Sequence, residues 1–167
     1  MTGGAPPLLR VGQGFDAHRF GGDRPLVIGG VVIPGQPGLE GHSDADVVAH
    51  ALADAILGGF GGGDLGSLFP ASDPAWAGAD SIDLLSQVVE RAATAGWRTV
   101  NADCTVICER PQLAPHMAGM ARRLSEAVDA PVAVAPKRAE GLGALGRVEG
   151  IACLAAVLLW QPSGAWR

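Results

Sequence analysis

Short apolar runs, separated by turns rich in glycine and proline, set the outline of this chain. The first run, from Leu8 or Leu9 to Phe15, reads as a strand, and Arg19 to Pro25 as a turn around Gly21, Gly22 and Asp23. Leu26–Ile28 and Val31–Ile33 flank Gly29-Gly30, the pattern of a tight β-hairpin. Pro34 to Gly41 reads as a loop. A helix then runs to about Leu57, capped by Ser43 or Asp44, with Val47, Ala51, Leu52, Ala55 and Ile56 apolar and Asp46, His50 and Asp54 in a polar row at i+4 steps. Gly58 to Gly66 is too glycine-rich to continue as plain helix. Asp80 or Ser81 caps a helix to about Thr94, whose stripe is Ile82, Leu85, Val88, Val89 and Ala92, and Gly96 ends it.

Trp97 to Cys108 reads as a long strand, Pro115 to Val128 as a helix, Pro131 to Ala135 as a short strand, and Glu149 to Trp160 as a buried final strand. Between the last two lies a loop, Pro136 to Gly150, that gathers Lys137, Arg138, Glu140, Arg147 and Glu149. A hairpin followed by alternating helices and strands predicts an α+β fold, an α/β sandwich with helices on one face of a mixed sheet. Residues 1–8 and 162–167 are expected as loose tails around one domain, 9–161.

Composition narrows the function classes. The 167 residues are 48% apolar and 17% charged, with a net charge of −5. No basic stripe for nucleic acid is present. The longest apolar run, Ile151 to Trp160, is too short for a bilayer. Three cysteines, Cys104, Cys108 and Cys153, form no CxxC pair, and with no secretory pattern at the N-terminus they point to a reducing, cytoplasmic setting. Cys104 and Cys108 fall on the same face of one strand and read as packing.

The candidate chemistry lies in Gly14-Phe15-Asp16-Ala17-His18 and in His42-Ser43-Asp44-Ala45-Asp46-Val47-Val48-Ala49-His50. On a strand, Asp16 and His18 project to the same side. With His50 from a helix they make a plausible catalytic zinc set: three protein ligands and an open fourth position. Alone, Asp-x-His is a common pattern that a structural hydrogen bond explains. The polar row Asp46, His50, Asp54 is either a solvated face or a ligand supported by neighbouring carboxylates. His116 reads as a capping or surface residue. The cationic loop beside a metal suits a polyphosphate. Two classes therefore stand: a metal-dependent phosphoryl-transfer enzyme, and a non-catalytic metal- or nucleotide-binding module.

The ordered segments GQGFDAHRF, PLVIGGVVIP, GHSDADVVAHALADAILGG, GGDLGSLFP, SDPAWAGADS and GRVEGIA resemble the 2-C-methyl-D-erythritol 2,4-cyclodiphosphate synthase family over nearly the whole chain, Arg10 to about Leu159. The resemblance implies a homotrimer with active sites between subunits. It also implies that 4-diphosphocytidyl-2-C-methyl-D-erythritol 2-phosphate is cyclised with release of CMP; a relative cyclising another CDP-activated polyol phosphate is the alternative. Asp16, His18 and His50 stand where the family binds zinc, and Glu140 where a carboxylate binds Mg²⁺ or Mn²⁺ on the diphosphate. His42 and Arg138 occupy its catalytic positions.

By the same resemblance, the polyol phosphate is contacted at Asp16, Ala17, His18, His42, Ser43, Asp64, Leu65 and Gly66. Phe69, Pro70, Ala71, Ser72 and Asp73 match a mobile substrate loop. Cys108, Glu109, Arg110, Pro111, Gln112, Leu113 and Ala114 match the cytidine site. Lys137, Arg138, Ala139, Glu140, Ala144 and Arg147 complete the substrate contacts. Phe15, Arg147 and Glu149 match a cavity on the threefold axis that can take an isoprenoid diphosphate. Three positions depart from the family pattern: Arg138 replaces a threonine, Gln112 a common lysine, and Ala71 an aspartate.

Overall fold

The computed structural model describes residues 7–162; the expected tails fall mostly outside that range. Five strands form one mixed sheet in the order β2-β1-β5-β3-β4. They are β1 (Leu8–Ile28), β2 (Val31–Leu39), β3 (Arg98–Ile107), β4 (Val132–Lys137) and β5 (Gly150–Gln161). Only β3 and β4 run parallel; every other pair is antiparallel. The helices are α1 (Val47–Phe60), α2 (Leu65–Leu68), α3 (Ser81–Thr94), α4 (Met117–Val128) and α5 (Gly143–Gly146).

Strand β1 organises the rest. Its first part, Leu8–Arg19, pairs with Gln161–Gly150 of β5 without a register break, and its second part pairs with β2. Leu8, read both as the end of the tail and as the start of the first strand, is a strand residue opposite Gln161. The expected turn at Arg19–Pro25 is instead strand interrupted by register shifts around Gly22 and Pro25. Bulges and turns draw on the same residue types, and here the backbone of Pro37–Leu39 supplies partners that keep the segment extended. For the same reason the expected loop Pro34–Gly41 is strand as far as Leu39. The hairpin itself is as expected: Gly29 and Gly30 take φ of +58° and +70°, both left-handed, as a two-residue turn of this kind requires.

Side chains of β1 alternate. Even positions from Gly12 to His18 face the helices, while Leu9, Val11, Phe15 and Ala17 point the other way and are exposed. Gly12 and Gly14 bring α1 onto the strand: a Cβ on Gly12 would stand 1.8 Å from the Ala55 carbonyl oxygen, and one on Gly14 1.9 Å from that of Ala51. Leu52, Ile56, Leu85, Val88, Met120, Leu124 and Leu159 fill the single core between helices and sheet. The opposite sheet face carries no helix among the described residues and leaves Leu9, Val11, Phe15, Leu154 and Trp160 exposed.

Helix α1 starts later than the sequence suggested. Its N-cap is Asp46, whose fully buried carboxylate accepts from Val48 N (3.0 Å) and Ala49 N (3.2 Å). The same carboxylate takes Gly29 N (2.8 Å) and Gly30 N (2.6 Å), so it ties the hairpin turn to the helix start. Burial pushes its pKa up, opposed by the N–H groups of Gly30, Gly29 and Ala49. The helix ends at Phe60, with Gly58 and Gly59 inside it and Gly61 as a left-handed cap. Asp80 caps α3 as expected, and Ala95 and Gly96 close it. His116 precedes α4 but makes no side-chain cap bond. All three cysteines are buried and free.

Candidate active site

The close approach of α1 to β1 sets the site. It places the His50 ring beside the even-numbered face of β1, where Asp16 and His18 stand two residues apart. Asp16 Oδ2 lies 3.0 Å from His18 Nδ1 and 3.1 Å from His50 Nδ1, and its Oδ1 accepts Ala17 N at 2.8 Å. The three residues offer donor atoms all within 4.8 Å of one another, the one such cluster among the described residues.

His18 Nδ1 is buried and, although 3.0 Å from Asp16 Oδ2, is not aligned for a hydrogen bond. A buried donor atom without a proper partner, aimed into a carboxylate–imidazole cluster, is what a metal ligand looks like without its metal. Burial raises the Asp16 pKa, but the close imidazoles of His18 and His50 outweigh it and hold the carboxyl well below its usual range. Burial likewise opposes charge on His50, yet Asp16, then Asp46 and Asp44, raise its pKa overall. The far nitrogen of His50, Nε2, meets Ser81 Oγ at 2.9 Å and Ser43 Oγ at 3.1 Å.

Neither the Asp46 nor the Asp54 carboxylate hydrogen-bonds the His50 ring, and of the polar row Asp46 acts on it through charge alone. Asp46 is turned to the hairpin as the helix cap, and Asp54 accepts Leu65 N at 2.7 Å. The i+4 rule holds only inside a helix, and Asp46 lies just outside it. Burial pushes the Asp54 pKa up.

A cavity of about 200 Å³ opens beside the cluster, lined by His18, His42, Ser43, His50, Leu65, Gly66, Phe69, Ala71, Trp76 and Leu84. His42 Nε2 donates to the Asp73 carbonyl at 3.0 Å, and Phe69 packs edge-on to Trp76 at 4.8 Å. Pro70 and Asp73 close a turn, Asp73 N donating to Pro70 O at 2.9 Å, with Ser72 inside it. Asp64 caps α2, and hydrogen bonds from the Ser67 hydroxyl and N–H lower its pKa. Arg24 grips the carbonyls of Gly41 (2.8 Å), His42 (3.3 Å) and Ser43, which fixes the loop that presents His42.

The chain belongs to the YgbB family.

Its family model matches residues 9–160. A 2-C-methyl-D-erythritol 2,4-cyclodiphosphate synthase from Symbiobacterium thermophilum is 50% identical over 90% of this chain and 98% of its own. The bifunctional IspDF from Campylobacter jejuni has a similar structure, with a TM-score of 0.91 and 37% identity over 96% of this chain and 44% of that one. A 2C-methyl-D-erythritol-2,4-cyclodiphosphate synthase in its CDP-bound form has a TM-score of 0.81 and 35% identity, covering 90% of this chain and 99% of its own.

On this YgbB chain the remaining expected residues form separate groups. A second cavity, about 230 Å³, is lined by Cys108, Glu109, Pro111, Gln112, Leu113, Ala114, Pro136, Lys137 and Arg138. A neighbouring cavity of about 400 Å³ adds Arg110 and Gln36. Burial pushes the Cys108 thiol up to about 11, so it stays protonated and is no nucleophile. Ala139 N donates to Glu109 Oε2 at 3.2 Å. Glu140 stands exposed on a turn with φ of +51°, away from the Asp16 cluster's cavity lining. Arg147 and Glu149 are exposed and paired at 2.6 Å, and Ala144 O accepts Glu149 N at 3.0 Å.

Sheet register relates the two cavities. Ala17, Ala152, Ile107 and Lys137 form one row across β1, β5, β3 and β4. Both cavities thus open at one level of the sheet, but with strands about 4.8 Å apart they lie roughly 14 Å from each other sideways. Motif reading missed Arg24, Trp76, Leu84 and Ser81 as site residues. Only Trp76, an aromatic following the Phe69 loop, carried a usable signal.

Proposed function

We propose that this YgbB chain converts 4-diphosphocytidyl-2-C-methyl-D-erythritol 2-phosphate to 2-C-methyl-D-erythritol 2,4-cyclodiphosphate and CMP, an isoprenoid-precursor reaction of the non-mevalonate pathway. The observation that carries the reading is the convergence of Asp16, His18 and His50, with its orphaned His18 Nδ1, on the cavity that His42 and Ser43 also line.

Two imidazoles and a carboxylate leaving one position open fit zinc. Zinc held there supplies Lewis-acid polarisation of a phosphate oxygen. Glu140 is the residue for Mg²⁺ or Mn²⁺, ions that commonly take one carboxylate and complete their shell from phosphates and water.

In the reaction an oxygen of the 2-phosphate attacks the β-phosphorus, the bond from that phosphorus to the bridging oxygen breaks, and CMP leaves with the electron pair. The nucleophile is already anionic, so the protein supplies position and charge rather than a base. Ser43 and the His42 N–H orient and stabilise the phosphate oxygens. His42 becomes available as the Phe69–Asp73 loop withdraws the Asp73 carbonyl from His42 Nε2. Arg138 and Lys137 offer cations to the diphosphate, with Arg138 replacing by charge what a threonine hydroxyl would give.

At about 200 Å³ the metal-side cavity suits the polyol phosphate end but not a whole nucleotide. The second cavity, lying roughly 14 Å aside, takes the cytidine end from a neighbouring subunit. A homotrimer built on the uncovered sheet face provides that neighbour and buries Val11 and Trp160. Phe15, Arg147 and Glu149 then border its axis, where Arg147 can hold an isoprenoid diphosphate.

Purified protein with zinc, Mg²⁺ and the substrate, followed by phosphorus NMR, tests the reading. CMP and a cyclic diphosphate are expected from the wild type, and neither product nor retained zinc from His50→Ala. Wild type that holds zinc and makes neither product overturns the assigned substrate.

A further inference from the structure

We propose that Asp44 and Ser81 act as a positioning relay that keeps His50 in the tautomer protonated at Nε2, leaving the Nδ1 lone pair free for the metal. The inference rests on the metal-binding reading above and concerns residues outside the ligand set.

Which atoms can donate decides where the ring proton sits. The Asp44 carboxylate can only accept, and the Ser81 hydroxyl is in short contact with its Oδ1. That spends the only hydroxyl hydrogen of Ser81. Its oxygen, 2.9 Å from His50 Nε2, can then only accept, which calls for the proton on Nε2. Ser43 Oγ, 3.1 Å from the same nitrogen, accepts Ala45 N at 3.2 Å and can turn its own hydrogen to Ser81 Oγ, 3.4 Å away, which leaves its oxygen as a second acceptor for Nε2. On the other edge of the ring, Nδ1 lies 3.1 Å from Asp16 Oδ2, a carboxylate oxygen that competes with the two serines for the ring's proton until a metal cation takes that edge. Each ring nitrogen therefore has a separate task.

The backbone is arranged for this division. Ala45 takes φ of +60°, a left-handed conformation that a non-glycine residue adopts at a cost. It separates two neighbouring carboxylates with different destinations: Asp46 turns to the hairpin glycines, and Asp44 turns to the start of α3. There Asp44 Oδ2 also accepts Ser81 N at 3.1 Å, and its Oδ1 accepts Asp46 N at 3.2 Å, which fixes its orientation. Ser81 is 1% exposed, so water does not replace either partner.

Without the relay the balance reverses. His50 would lose its Nε2–H acceptor in Ser81, and Asp16 would favour a proton on Nδ1, the atom the metal needs. Partners of this kind typically alter metal affinity by about 10- to 100-fold.

Ser81→Ala removes the hydroxyl and keeps the Ser81 N–H bond to Asp44. Two measurements decide. In metal-free wild type, imidazole ¹⁵N shifts taken above the histidine titration are expected to report His50 protonated at Nε2, and Ser81→Ala to move the population toward Nδ1–H. Competition with a chelator is expected to show zinc affinity falling about 10- to 100-fold in the variant. A purely structural serine would change the melting temperature without changing the tautomer. Wild-type His50 protonated at Nδ1 overturns the proposal even if the variant does not fold, and so does a variant with unchanged zinc affinity. Wild type that binds no zinc refutes the metal reading instead, and the tautomer measurement stands independently of it.

Discussion

Replacing Gly14 with alanine should damage the metal site from beneath. The new Cβ would sit 1.9 Å from the Ala51 carbonyl oxygen, where real contacts essentially never fall below 3.0 Å. Helix α1 must therefore retreat by about 1 Å at the residue next to His50, with an overpacking cost of about 1–3 kcal/mol. For a chain of this length each kcal/mol lowers Tm by about 2–4 °C. Metal ligation tolerates only about 0.2 Å, so zinc affinity should drop, and a displacement of about 1 Å typically costs about 100-fold in turnover. Gly12→Ala meets Ala55 O at 1.8 Å, one turn further along the helix. It should cost similar stability with a smaller loss of zinc affinity. Thermal melts and chelator competition on both variants test this. Gly14→Ala with wild-type Tm and zinc affinity would refute the claim that the glycine contact sets the reach of His50.

Three further outcomes are expected. In metal-free protein the Asp16–His50 pair should stabilise most between about pH 4 and 6.5. Below that window the unfolded chain takes up a proton at Asp16, and the stabilisation fades as pH falls toward the depressed folded pKa; above it unfolded His50 is neutral, and the stabilisation is lost as pH rises through the raised folded pKa. The Tm difference between wild type and Asp16→Asn, followed across pH with chelator present, should shrink on both sides, and a flat difference would count against the pair. Asp46→Ala removes a helix cap and strands the Gly29 and Gly30 N–H groups, so urea unfolding should show a loss of about 2–4 kcal/mol; a loss below about 0.5 kcal/mol would dismiss its double role. Val11→Glu places a charge on the uncovered sheet face, where Val11 is 74% exposed, and should leave a folded monomer in sedimentation analysis. A trimer that survives it would move the interface elsewhere.

Legibility in the sequence followed the range of the interactions involved. The Gly29-Gly30 hairpin and the Asp80 cap depend on neighbours within a few residues, and both could be read. Asp16 and His18 share a face by strand parity alone, and His50 fell into place once its helix was recognised. What escaped depended on distant chain. Gly21 to Pro25 carries the composition of a turn, and only pairing with β2 reveals it as bulged strand. Asp46 looks like part of a helix face until the Gly29 and Gly30 N–H groups are seen to hold it outside. Ser81 reaches His50 across 31 residues, a contact with no local pattern.

The parity of β1 has a consequence for how the chain can change over evolutionary time. Between Gly12 and His18 alternate positions serve the helix side and the uncovered side. Substitutions on one side can accumulate without affecting the other, so surface and metal site are free to diverge at different rates. A one-residue insertion there would exchange the roles at a stroke, burying Phe15 or its neighbour under α1 and turning the carboxylate outward. Descendants of this strand should therefore differ in letters but not in length.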